Sequence, residues 1–162
     1  EGKDRARKVG GTETMNKDEL KHKLRSAHVA HEQVASLCDH LQELRSLAMK
    51  VTPKYGPQAG GSGDGQKLAA SVAAINEQEA RISESIKKLC AALEEVRALV
   101  NLLPQGRPEK TVMYMRYLNY RSWVQIAAEL NYSWQNVHKL HGKALAYILS
   151  KVNRQEEINH DK

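Results

Sequence analysis

Between residues 68 and 103, apolar residues recur at alternating steps of four and three. Leu68, Val72, Ile75, Glu79, Ile82, Ile86, Leu89, Leu93, Val96, Val100 and Leu103 keep that spacing over five heptads, and Glu79 is the one polar member. A period of 3.5 predicts a helix with a narrow coiled-coil seam that must be buried against another helix. Residues 15–51 predict a second long helix. Asn16 followed by Glu19 has the form of a capping box. Leu20, Leu24, Ala27, Val34, Cys38, Leu41 and Ala48 make its stripe, interrupted by His31 and Arg45. Leu37, Leu44, Leu47 and Val51 open a second stripe, so this helix is expected to touch more than one neighbour. Thr52-Pro53 ends it. Residues 52–67, TPKYGPQAGGSGDGQK, hold five glycines and two prolines and predict a flexible linker. The two helices are expected to pair antiparallel within the chain, with doubling into a homodimer through the coiled coil as a further use of the seam.

Pro104, Gly106 and Pro108 break the pattern and open a new unit, 104–150. Thr111 to Asn119 is amphipathic through Val112, Met115 and Leu118. Tyr120-Arg121 reads as a turn and Ser122 as an N-cap. Trp123 to Leu130 is a short helix carrying Ile126 and Ala127. Asn131-Tyr132 is a second turn, where Asn tolerates the left-handed conformation a tight corner needs. Ser133 is another N-cap, and Trp134 to Leu149 is a longer helix burying Val137, Leu140, Ala144, Leu145 and Ile148. A short helix, a tight corner and a longer helix are the parts of a helix-turn-helix. Residues 151–162 read as a polar tail. Residues 1–14 read as a disordered leader, with Met15-Asn16-Lys17 as a translation start. The expected class is all-α: a long N-terminal helical hairpin or coiled coil, then a helix-turn-helix domain.

Charge sharpens the picture. Residues 104–154 carry eight Lys and Arg against two Asp and Glu, a net of +6 that equals the net charge of the whole 162-residue chain. So local an excess favours a polyanion, and counterion release from DNA rewards it. Composition excludes other classes. No apolar run reaches the roughly 20 residues of a membrane helix, so no membrane partner is expected. Cys38 and Cys90 are the only cysteines. They read as free thiols in a reducing cytoplasm. His28, His31, Cys38 and His40 lack the convergent spacing of a zinc site. No phosphate loop or nucleophile elbow is present. Neither metal, cofactor nor enzymatic activity is expected.

The run Met115-Arg116-Tyr117-Leu118, then Ser122-Trp123, Ile126-Ala127, Leu130-Asn131-Tyr132-Ser133 and the stretch from Val137 to Leu145 resembles region 4 of sigma-70 factors. It is most similar to the sigma-like domains of phage late-transcription regulators of the ArpU and RinA kind, from phages of Gram-positive bacteria. The resemblance covers about forty residues. It implies that the second helix of the motif enters the DNA major groove, with Trp134, Gln135, Asn136, His138 and Lys139 on its reading face. Sigma factors favour Arg and Glu at several of these positions. The departures here, with no segment like region 2, point to a regulator rather than a complete promoter-opening factor.

Residue chemistry bears on the same face. Gln135 and Asn136 can bond adenine edges in the major groove. Lys139 and His138 can reach guanine or phosphate. Ser133 can cap its helix and bring backbone N–H groups to a phosphate. Arg121, Lys143 and Lys151 suit phosphate contacts. Trp134 has a second reading, packing across the corner, and Trp123 and Tyr117 read as core. The function expected is a sequence-specific DNA-binding transcription regulator, phage or prophage encoded, acting on double-stranded DNA in the bacterial cytoplasm, with RNA polymerase as a second partner. Two other functions use the same parts: a DNA-packaging protein like a small terminase subunit, and a coiled-coil module that grips RNA polymerase.

Overall fold

The structure, a computed structural model, describes residues 14–51 and 64–160. The leader 1–13, the linker core 52–63 and residues 161–162 lie outside the described residues. The protein is all-α, with five helices and no strand among the described residues: α1 (Lys17–Val51), α2 (Asp64–Asn101), α3 (Pro108–Tyr117), α4 (Trp123–Leu130) and α5 (Trp134–His160).

The ends of these helices follow from local chemistry. Asn16 caps α1: its Oδ1 accepts from the N–H groups of Asp18 and Glu19 at 2.9 Å, while Glu19 Oε2 accepts from the Asn16 N–H at 2.9 Å. Ser122 builds the same device on α4. Its Oγ accepts from Gln125 N–H at 3.2 Å and Gln125 Oε1 accepts from Ser122 N–H at 2.8 Å. Such reciprocal caps satisfy donors that the first helical turn leaves orphaned. Pro108 sits at the start of α3, where its missing N–H costs nothing. The chain turns into α3 through Gly106 at φ +75°, a left-handed conformation suited to glycine.

Three boundaries differ from the sequence reading. α2 starts at Asp64, so the last four residues assigned to the linker are helical. Aspartate is favourable at a helix start, and Gly65 and Gln66 are tolerated in a first turn. At the other end α2 stops at Asn101, ahead of Leu103. The expected polar tail is not a tail: α5 runs on to His160. Val152 is half-buried against the core, and the Asn153 amide accepts from Met15 N–H at 3.0 Å and donates to Met15 C=O at 3.2 Å. These two contacts tie down a turn that composition alone marks as solvated.

The chain divides into two compact units. One comprises residues up to His28 together with those from Ala91 on; the other is Val29–Cys90. The first unit holds two apolar clusters. Leu20, Leu24 and Ala27 of α1 pack with Val96 and Val100 of α2, Met113 and Tyr117 of α3, and Ala144, Leu145 and Ile148 of α5. Val112, Ile126, Val137 and Leu140 form a second cluster among α3, α4 and α5. Burying a side chain of this size stabilises by about 1.5–3 kcal/mol, which is what orients α4 and α5 on α3. In the second unit α1 and α2 meet antiparallel. Gln78 Nε2 donates to Leu37 C=O at 3.0 Å, and Arg45 Nη2 lies 2.6 Å from Glu79 Oε1.

Candidate nucleic-acid interface

The corner between α4 and α5 is built by Asn131. Its backbone is left-handed, at φ 53° and ψ 40°. Tyr132 N–H then donates to Ala127 C=O at 3.0 Å, closing the end of α4. Ser133 Oγ accepts from Asn136 N–H at 3.2 Å and starts α5. Val137, Leu140 and Ala144 turn inward and are buried. That register sends Gln135, Asn136, Lys139 and Lys143 outward, and all four are exposed. Asn136, Lys139 and Lys143 are spaced by three and four residues and share one face.

Trp134 does not pack across the corner. It is 55% exposed at the first position of α5. Its ring is nevertheless fixed. His138 lies 4.0 Å from it, Trp123 lies 4.6 Å from His138, and the Arg116 guanidinium sits 4.7 Å above Trp123. The four side chains form a column whose open end is the Trp134 indole. His138 therefore sits differently from its expected place on the reading face. It is half-buried between two indoles, with Nε2 buried and without a hydrogen-bond partner, and it supports Trp134 instead of reaching outward. Arg121 is half exposed but lies 3.4 Å from Glu129 Oε1, and its C=O accepts from Arg116 Nη1. Lys143 also helps to line a cavity of about 170 Å³ with Arg107, Glu109 and Tyr147. Lys151 is exposed, 5.6 Å from the Tyr147 ring.

Behind this face lies His141. Its Nε2 is 2.9 Å from Tyr117 Oη, and its ring stands edge-on to Trp123 at 4.9 Å. Burial first, then His138, Lys21, Arg116 and Lys17, lower its pKa to about 4. Burial raises the Tyr117 phenol above its ordinary value, against the pull of Arg25 and Arg116. The pair is neutral at physiological pH and holds α3 to α5.

Two contributors escape a reading of periodicity. Arg116 and Trp123 both lie within the sigma-like run, yet the cation–π contact that braces the column has no spacing signature. Among the described residues, no group of three or more His, Cys, Asp or Glu is placed to hold a metal ion, and no helix is long and apolar enough to cross a membrane. Comparison with protein-family models, curated proteins and solved structures finds no match for the chain.

Proposed function

We propose that the protein is a sequence-specific DNA-binding transcription regulator of the sigma-like, phage or prophage kind, working on double-stranded DNA in the bacterial cytoplasm without catalysis. The reading rests on one observation. The segment that concentrates the positive charge presents, on the first turns of a helix set at a left-handed Asn131 corner, an open face of Gln135, Asn136 and Lys139 opposite a buried Val137–Leu140 anchor. α5 is then the helix that lies in the major groove. Gln135 and Asn136 carry the adenine-type amide pairing, and Lys139 reaches guanine or phosphate. Lys143, a turn further on, clamps the backbone. Ser133 and the free N–H groups of the first turn of α5 favour a phosphate.

The test is a binding titration of the full chain on its selected duplex and on a scrambled duplex. Asn136→Ala should cost about 1–3 kcal/mol on the selected site and relax preference at one base position. Lys143→Ala should weaken both duplexes alike and reduce the salt slope by about one. Both side chains are exposed, so helical content should stay constant. Equal weakening of both duplexes by Asn136→Ala, with altered base preference in Lys143→Ala, inverts the two roles. Absence of duplex binding at low salt removes the reading.

A further inference from the structure

The Val29–Cys90 unit buries the wrong residues for its own sequence pattern. Where α2 meets α1, Gln78 and Ser85 are buried, at 3% and 8% exposure. Leu68, Val72 and Ile86, all members of the strict apolar ladder, stay 43%, 48% and 44% exposed. The contact with α1 is thus turned around α2, away from part of its seam. Gln78 tolerates burial because Leu37 C=O accepts from its amide. The exposed ladder has no such reason to be where it is. Water-facing apolar ridges of this regularity mark contact surfaces.

The rest of that side of α2 is uncharged: Asn76, Ser83 and Cys90. Glu77, Arg81, Glu84 and Lys88 lie on the far side of α2, with Arg81 paired to Glu77, while Lys87 borders the face about 100° from Ile86 and lies 3.8 Å from Glu84 Oε2. Glu79 interrupts the uncharged face, and it is paired with Arg45. That pair also fixes which side of α1 adjoins the ladder. It is the side of Cys38, Gln42 and Met49, exposed and uncharged. Leu47, two positions and hence some 200° from Arg45, lies on the opposite side.

We propose that this face docks a second copy of the chain, giving a two-fold dimer in which two α1–α2 pairs form a four-helix bundle. The charges argue for a like partner. A largely uncharged face meeting itself opposes few like charges: Lys87 stands at its border near Glu84, and the Arg45–Glu79 pair within it is equal and opposite, so each end finds its counterpart across the two-fold axis. A strongly acidic or basic partner would find no complement there. The size also suffices. Some 25 residues of α2 run about 38 Å beside α1, long enough for paired helices to approach the roughly 800 Å² per partner of a standard interface. The proposal stands on the Val29–Cys90 unit alone and does not depend on DNA binding.

Sedimentation of the full chain over a concentration series tests it. The expected mass is twice 18.2 kDa. Val72→Glu with Ile86→Glu should reduce it to one chain. Both side chains are exposed in the single chain, so helical content should be unchanged. Leu47→Glu should leave the dimer intact. Cys38 and Cys90, exposed in the single chain, give a second readout. A thiol reagent should label them several-fold faster in the Val72→Glu/Ile86→Glu protein than in the wild type. A wild-type mass of one chain overturns the proposal: with fast labelling the face is open, and with slow labelling another segment of the same chain covers it. A double variant that keeps the mass of two chains places the interface elsewhere, and an assembly larger than two rules out the two-fold pairing.

Discussion

Burial of His141 against Tyr117 and Trp123, with His138, Lys21, Arg116 and Lys17 adding to the cost of protonation, holds its imidazole neutral down to about pH 4. The same side chain in the unfolded chain takes up a proton near pH 6.5. The unfolded state therefore binds more protons between these values, and linkage makes stability fall there. His141 contributes its full stabilisation above pH 6.5 and loses it progressively as pH drops toward 4. Urea midpoints at pH 7 and pH 5 should differ more for the wild type than for His141→Gln, which does not titrate. An equal pH dependence in the two proteins would contradict the buried, neutral His141. Residue-scale features of this kind divide into legible and illegible ones. The Ser122 and Ser133 caps and Asn16 were readable, because each is a local exchange between one side chain and the backbone two or three residues away, and the Asn131 corner because asparagine tolerates the left-handed backbone a tight turn needs. Tyr120 was readable only as a turn. Its φ of 56° is unusual for a bulky residue. It is held by a distant partner, since its hydroxyl donates to Ala27 C=O at 3.3 Å and its ring lies 5.0 Å from His28. Nothing near Tyr120 in the chain announces α1 as that partner.

At the scale of the element, α4 and the inner face of α5 matched their pattern, since a short amphipathic helix between two caps has one way to bury Ile126 and Val137. The long helices were harder. Their extent was legible to within four residues at the described ends, apart from the far end of α5, yet the ladder from Leu68 to Leu103 does not act as one seam. Its last third, Val96, Val100 and Leu103, is buried, while Leu68, Val72 and Ile86 are exposed. Periodicity shows that a helix has an apolar face but not which neighbour takes which part of it. Met113 was missed for the related reason that α3 buries two sides: Val112 enters one cluster and Met113 the other. α5 offers an element-scale prediction at Gly142. It lies mid-helix, and an added Cβ there meets nothing within 4 Å. Gly142→Ala should stabilise the protein by about 0.5–1 kcal/mol, by restricting the unfolded chain and favouring the helix. A higher urea midpoint at unchanged slope checks it. A loss of stability would show that Gly142 meets a constraint beyond its own helix.

At the scale of the whole molecule, the extension of α5 past Ser150 changes how the positive charge is displayed. Lys139, Lys143, Lys151 and Arg154 are all exposed on one continuous helix. At about 100° per residue they fall within an arc of about 120° along its length. Other cations of the same segment are committed elsewhere: Arg121 to Glu129, Lys110 to Leu103 C=O, and Arg116 to Trp123 and Arg121 C=O. The ridge on α5 is therefore the part of the +6 segment most available to a polyanion. Each phosphate it neutralises releases condensed counterions, and the logarithm of the binding constant falls with the logarithm of salt by about 0.9 per contact on duplex DNA. Two to four contacts from the ridge give an expected slope of about −2 to −4 for one chain. Lys151→Ala with Arg154→Ala should make it shallower by up to about 2 while leaving base preference untouched, since both residues lie beyond the turns that carry Gln135 and Asn136. Asn153 between them ties α5 to Met15, so the variant should keep its helix and its thermal midpoint. Titration of duplex DNA against the wild type and this variant at several salt concentrations measures both slopes. Equal slopes would mean that the last turns of α5 do not meet DNA, leaving contact to the turns around Lys139 and Lys143. A changed base preference would mean that the reading face extends further along α5 than Asn136 and Lys139.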